Sequence, residues 1–423
     1  MKIAFLIEQF PALSETFILN QICGLIDLGH QVDIHAVKPR AEPKVHGDVI
    51  KYNLLQSTFY REVPRNYLIR LLVAIKSILQ NPGRNSLKLL RSLNFFKYGK
   101  PALTLRLFYA TVSFLGKDDY DIIQCHYGYL GNLALRLKQM EVIRARIVTT
   151  FHGMDISQIL VDQSDRFYAE LLEQGDLHLP ISNTWKQKLI DLGGDEHKII
   201  VHKMGIDLEK FDFRPRLPKA QEITRILTVA RLKEKKGIEY GIEAVAIAVK
   251  QYPHLQYQIV GDGELRDQLE QLIEDLNLGN WVTILGSKTQ EEVVQLMQAS
   301  DILLAPSVTS QQGDCEGIPV VLMEASAIGL PIISSLHGGI QELVENGKSG
   351  FLVPEKDVEL LAQKISYLLA NPAAWAEMGK NARAIVEQKH DIHRLNCQLE
   401  EIFAQLSGSN QHHLAGSPVL SQD

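Results

Sequence analysis

The stretch DILLAPSVTSQQGDCEGIPVVLMEAS (301–326) reads as a strand, a loop and a helix in that order. DILLAP is an apolar run ending at Pro306, which cannot donate to a strand ladder. A loop rich in Ser, Gln and Gly follows, and then EGIPVVLMEA. Pro319 suits the first turn of a helix, where its missing N–H costs nothing. A run that is apolar on both faces and feeds a helix through a polar loop is the repeating unit of a parallel sheet. Two carboxylates, Glu316 and Glu324, frame the start of this helix with seven residues between them. A helix buried in a core needs no acids at its edges, so the pair asks for a chemical reason.

The same unit recurs on both sides of this stretch. The first half has KIAFLIE, QVDIHAV, DIIQCH, RIVTTFHG, LHLPIS and IIVHKMG, and the second has RILTVARL, YQIVGDG, VTILG, PIISS and GFLVP. Right-handed crossovers make each half a doubly wound, Rossmann-like α/β domain. Between them DLEKFDFRPRLPKAQEI (207–223) is charged, holds Pro215 and Pro218, and has no strand pattern. The expected organisation is an N-terminal domain over 1–207, a linker over 208–222 and a C-terminal domain over 223–406. The terminal helices of the second domain have the option of packing back on the first, and a polar tail over 407–423 is expected to be disordered. Ligands of such proteins bind in the cleft at strand C-terminal ends.

Composition narrows the function. A chain of 423 residues, 45% hydrophobic and 22% charged, fits a soluble protein of two or three domains. The net charge of −6 excludes the chain as a whole from nucleic-acid binding. Residues 63–117 depart from this average, with ten Lys or Arg and no Asp or Glu. Two readings stay open there. Either basic amphipathic helices meet an anionic membrane surface, or ordinary helices bury Leu and Ile and turn Lys and Arg outward. Cys23, Cys125, Cys315 and Cys397 form no CxxC, which argues against zinc and disulfides and fits a reducing cytoplasm. The first apolar run meets an acid at Glu8, too early for a signal peptide, and no run approaches the roughly 18 apolar residues of a membrane span.

Further motifs stand at the ends of other strands. In TVARLKEKKGIEY (228–240), Arg231 follows a strand and Lys236 opens a helix, a pair able to clamp a diphosphate. Lys233, Glu234 and Lys235 read as a solvated turn. In IVGDGELRDQLE (259–270), Gly261 and Gly263 allow close backbone approach to a ligand, or simply a tight turn; Arg266 replaces the third Gly of GxGxxG. In TTFHGMD (149–155), His152 ends a strand facing the cleft, and Asp155 is placed to cap the next helix. The N–H groups near Val320 and Val321 offer a phosphate site at a helix N-terminus. Glu316, in the loop, can hold sugar hydroxyls, and Glu324, within the helix, can accept from both ribose hydroxyls. A dipole-complementing acid and a solvated surface acid would look the same. Asp119 and Asp121 form a D-x-D that leads into the strand DIIQCH, read as a poor metal site.

Together EGIPVVLME, ARLKEKKGIEY, IVGDGEL and LPIISSLHGGIQELVENGKSGFLVP resemble the family-four retaining glycosyltransferases of the GT-B fold, in which two Rossmann-like domains face each other across a cleft. EQFPALSETFILNQI and PSVTSQQGDCEGIP resemble bacterial exopolysaccharide transferases of the colanic-acid type. The resemblance implies a nucleoside-diphosphate sugar donor, UDP by default, no metal and no other cofactor. It implies a saccharide acceptor, expected to be lipid-linked. Arg231 and Lys236 would hold the donor phosphates, Glu316 the transferred hexose, and Glu324 the ribose. His152 would lie beside the anomeric carbon, and backbone near Gly286 and Ser287 would read the base. Where relatives carry a Gly-rich loop, this chain has FPALSETF (10–17), with Ser14 placed to cap the next helix, and its acceptor contacts stay open. The alternatives are a nicotinamide-dependent oxidoreductase and a non-catalytic nucleotide-sugar binding protein. Against the first, no GxGxxG follows either half's opening strand.

Overall fold

The computed structural model describes residues 1–12, 15–39, 45–117, 119–217 and 223–408. Ser14, the end of the expected linker and all of the tail beyond Gly408 lie outside these. The first half contributes strands β1 (Lys2–Phe10), β2 (Gln31–Pro39), β3 (Thr58–Tyr60), β4 (Ile122–His126), β5 (Arg146–Phe151) and β6 (Leu177–Pro180). The second contributes β7 (Thr224–Val229), β8 (Leu255–Val260), β9 (Val282–Gly286), β10 (Ile302–Ala305), β11 (Ile332–Ser335) and β12 (Gly350–Val353). They pair in parallel as two six-stranded sheets, β3-β2-β1-β4-β5-β6 and β12-β11-β10-β7-β8-β9.

Parallel strands covered by helices on both faces must be apolar throughout. Ile3 to Ile7 of β1 and all of β4 are accordingly buried. In each sheet the winding reverses once, between β1 and β4 and between β7 and β10. Crevices for ligands open at such reversals, beyond the strand C-terminal ends. Phe10 and His126 end the two reversing strands of the first sheet, and Val229 and Ala305 those of the second.

The chain crosses between the sheets twice. It passes from the first to the second after Ile206 and returns at His390 and Asp391. The crossings are bonded to each other: the Ile206 N–H donates to His390 O at 2.9 Å, and the Ile392 N–H to Ile206 O at 3.0 Å. After the return, helix Ile392–Ser407 packs on helix Thr16–Asp27. Leu399 and Phe403 lie in the core under the first sheet, and Asn396 Nδ2 donates to Asn20 O at 3.2 Å. The His202 ring, on the first domain, meets Leu395 O at 3.0 Å.

The basic region contradicts the reading in which Leu and Ile turn inward. Helix Tyr67–Gln80 buries only Ala74. Thirteen of the 23 exposed large apolar side chains among the described residues fall within 67–103, including Leu68, Leu72, Leu79 and Phe96. A small satellite core of Ala74, Leu89, Leu105, Phe108 and Tyr109 holds this segment together. Arg70 does not face outward either. Its guanidinium donates to Pro64 O and Thr104 O, at 2.8 and 2.6 Å, and so ties the segment internally.

Candidate donor site

The second sheet presents its chemistry where β7 and β10 end. Arg231 leaves β7 two residues past Val229, exposed, and among the described residues nothing pairs with its guanidinium. Lys236 ends a 3₁₀ turn, and Gly237, with φ of +56°, starts helix Ile238–Ala248. Gly261 and Gly263 sit beside this loop. A Cβ on Gly261 would strike the Ala230 carbonyl, and one on Gly263 would come 2.5 Å from Leu232 O. The groups that crowd these glycines therefore belong to the chain on either side of Arg231, so their smallness places that loop. The Gly261 N–H also takes Gly286 O at 3.0 Å.

Helix Val320–Ile328 begins one residue later than the sequence suggests. Pro319 is its N-cap, with an extended ψ of 127°. The first N–H groups of the helix, from Val320 and Val321, have no acceptor one turn earlier within it. Glu316 lies before the helix and is buried at 7% exposure. Its Oε1 is 2.8 Å from Lys236 Nζ and 3.6 Å from Lys235 Nζ. Burial alone would raise its pKa. The two ammonium charges, Lys236 foremost, outweigh burial and hold the group down at about 2. Glu324, one turn into the helix, is half-buried and has no charged partner among the described residues; burial pushes its pKa up to about 7.

One charge of the expected solvated turn is part of the site. Lys235 is half-buried and bonded to both oxygens of Asp314, at 3.1 and 3.0 Å. Glu234 Oε1 accepts the Gln311 N–H at 2.9 Å. The turn after β7 thus pins the loop that carries Glu316. Sequence order hides this, because Asp314 and Gln311 lie far along the chain.

From the first sheet, His152 follows β5 and meets the Glu316 loop across the cleft. A Cβ on Gly317 would strike the His152 carbonyl, and one on Gly153 would come 3.0 Å from Gly317 N. The Ser157 hydroxyl accepts the Cys315 N–H at 3.3 Å. His152 Nε2 is 3.0 Å from His126 Nδ1, between the rings of Phe17 and Tyr127. Burial lowers the His152 pKa to about 3, so the ring is neutral near pH 7. Asp155 does not cap the helix that follows it. Its buried carboxylate accepts the N–H groups of Gly128, His152 and Gly153, at 2.8 to 3.0 Å, and so fixes the end of β5. Asp119 and Asp121 are both engaged with Lys2, one through Nζ at 2.7 Å and one through the backbone N–H at 2.8 Å. The end of β1 borders a small recess lined by Gln9, Phe10, Glu15, Leu19 and His46 among others, with room for about one water (about 10 Å³). Tyr127 donates to Glu15 there at 2.9 Å.

The chain is similar to known proteins over nearly its whole length. The family "Glycosyltransferase Family 4" matches residues 14–210, and "Glycosyl transferases group 1" matches residues 209–385. The chain is 39% identical over 415 residues to the amylovoran biosynthesis glycosyltransferase AmsK of Erwinia amylovora, covering 96% of this chain and 100% of that one. It is 37% identical over 409 residues to the putative colanic acid biosynthesis glycosyltransferase WcaL of Escherichia coli strain K12, with 96% and 100% covered. Among solved structures, Anabaena HepE in complex with UDP superposes with a TM-score of 0.69 at 21% identity, covering 96% of this chain and 100% of HepE. A sucrose-phosphate synthase from Thermosynechococcus elongatus gives a TM-score of 0.73 at 22% identity, with 97% and 100% covered. The oxidoreductase alternative finds no support among these relatives. Two facing Rossmann-like domains and relatives matched from end to end lead to one conclusion, that the chain is a glycosyltransferase of the GT-B fold and belongs to the group 1, family-four glycosyltransferases.

Proposed function

We propose that this glycosyltransferase moves a hexose from a nucleoside-diphosphate sugar, UDP by default, to a saccharide hydroxyl, with retention at the anomeric carbon and without a metal, in exopolysaccharide synthesis. The observation that carries the reading is the ion pair of Lys236 with Glu316 just before helix Val320–Ile328, on a loop packed against the His152 carbonyl, with exposed Arg231 at the start of the Lys236 loop. Arg231 and Lys236 bind the diphosphate and stabilise the charge that grows on it as the sugar departs. The N–H groups of Val320 and Val321 add a helix N-terminus to the same phosphates. Glu316 grips hydroxyls of the transferred sugar, and Glu324 accepts from the ribose.

Two lysines around Glu316 favour attack on the same face that the diphosphate leaves. Glu316 Oε1 is already engaged by Lys236 at 2.8 Å, which leaves it less free to attack the anomeric carbon and form a covalent glycosyl intermediate. In same-face attack the departing phosphate takes the acceptor proton, and the transition state resembles an oxocarbenium ion. A trapped glycosyl adduct on Glu316 would overturn this.

The acceptor in this reading is lipid-linked, and the 63–117 segment rests on an anionic membrane on the cytoplasmic side. Supporting this, Leu68, Leu72, Ile75 and Leu79 recur at helical spacing and are exposed, with Lys76, Arg84, Lys97 and Lys100 exposed nearby. Apolar side chains beside cations fit the boundary between headgroups and acyl chains. No helix among the described residues is long and apolar enough to cross a membrane.

The deciding experiment is a thermal-shift series with UDP, GDP, ADP and NAD, with and without EDTA, on the wild type and Arg231→Ala. A ligand that binds only the folded protein raises its melting temperature by mass action. One nucleoside diphosphate should stabilise the wild type regardless of EDTA, and Arg231→Ala should lose the effect. A shift with NAD alone, or one abolished by EDTA, contradicts the proposal.

A further inference from the structure

The loop that brings Glu316 to the cleft is fastened at both ends by two side chains that have not yet been given a role, His337 and Glu355. His337 lies in the turn after β11, 3% exposed, and Glu355 lies just past β12. His337 Nε2 is 2.9 Å from the Glu316 backbone nitrogen, and Nδ1 is 2.6 Å from Glu355 Oε1. A backbone N–H only donates, so Nε2 carries the lone pair. The neutral ring then holds its proton on Nδ1 and gives it to Glu355. Glu355 also holds the other end of the loop: Oε2 accepts the Thr309 N–H at 2.7 Å, and Oε1 accepts the Thr309 hydroxyl at 3.1 Å. Alongside, the Gly339 N–H donates to Gly317 O at 3.0 Å.

We infer that His337 and Glu355 act as a positioning pair that sets the backbone at Glu316, and with it the grip on the transferred sugar. The inference rests on the reading of Glu316 given above. The carboxylate selects the tautomer, as a charged acceptor for Nδ1–H. In the other tautomer, Nε2–H would face the Glu316 N–H, donor against donor. Lys235 and Lys236 pull on the Glu316 side chain, and the imidazole holds its main chain. Neither His337 nor Glu355 bonds to Arg231, Lys236 or Glu324 among the described residues. The pair therefore serves the sugar end of the donor and not its nucleotide end.

This separation can be measured on the full chain, with a nucleotide sugar as substrate and, as binding probe, whichever nucleoside diphosphate stabilises the wild type. His337→Ala should lower kcat about 10-fold or more while affinity for the diphosphate stays within about 2-fold. His337→Gln, whose amide both accepts and donates, should recover much of the loss. His337→Ala combined with Glu355→Ala should do no more harm than the worse single change, as expected for two residues acting as one unit. Wild-type kcat in His337→Ala overturns the assignment, as does diphosphate affinity falling in step with kcat in the folded Gln variant. Glu316→Gln separates the two levels of the argument. If it keeps full turnover, the reading of Glu316 is wrong. If it is inactive while His337→Ala is normal, only the positioning pair is wrong.

Discussion

Lys236 and Glu316 form the shortest ion pair in the site, at 2.8 Å, and Arg231, five residues before Lys236 in the same loop, is exposed with no partner among the described residues. A diphosphate would satisfy Arg231 and compete with Glu316 for Lys236. Arg231→Ala or Lys236→Ala should each cut turnover by about 10²-fold, the scale of losing one charge-stabilising donor. Steady-state rates at saturating donor check this. Glu324 gives a pH test. Its folded pKa, near 7, lies above the ordinary value of 4.5, so its contribution to stability is full below about pH 4.5 and is lost as pH rises toward 7. Ribose hydroxyls donate to the ionised form and favour it. Nucleotide affinity should therefore weaken from about pH 8 to about pH 6 in the wild type and stay flat in Glu324→Gln, as read by calorimetry. Arg231, Lys236 and Glu316 stood out as candidates in the sequence because each stands at a strand end or beside a helix start, where side chains reach ligands, and Glu324 because it follows Glu316 one turn into that helix. Lys235 and Arg70 could not be placed that way. Their partners, Asp314 and Thr104, are set by tertiary structure, and a lysine or arginine in a basic run looks like any other.

At the scale of elements, the parallel strands were the most legible part. Burial on both faces leaves unbroken Ile and Val runs, as in KIAFLIE and DIIQCH, and the polar loops after them mark the crossovers. Helix Ile392–Ser407 was legible only as part of a terminal helical stretch with the option of packing back on the first domain, because a helical pattern does not name the surface it covers. It covers the first domain. Phe403 is fully buried there, and Phe403→Ala should cost about 3–5 kcal/mol by urea denaturation, the range for deleting a buried aromatic side chain. The loss should appear in the first domain's unfolding, although residue 403 follows all of the second domain's strands.

For the whole molecule, composition and charge pointed to a basic face, and the structure changes its character. The exposed side chains of 67–103 are mainly apolar, so the hydrophobic effect should dominate any bilayer contact. Replacing Leu72, Leu79 and Phe96 together with Ser should abolish sedimentation with anionic vesicles even at low salt. Reversing the charges of Lys76 and Lys97 should weaken it mainly in a salt-dependent way. Unchanged sedimentation after the triple replacement would mean that this face meets something else. The sequence could not reveal this geometry, because helical spacing does not say which side of a helix the rest of the protein covers.

The doubled crossing has a mechanical consequence. Because Ile206 is bonded to both His390 and Ile392, the two connections between domains act as one pin rather than two separate tethers. Rotation about that pin displaces nearby atoms little and distant ones most. The contact of Gly153 with Gly317 joins the domains through a separate set of loops, those that also carry His152 and Glu316. A rotation at the pin thus becomes a change of gap at that contact, and for a donor held by the second domain it would set how far His152 stands from it.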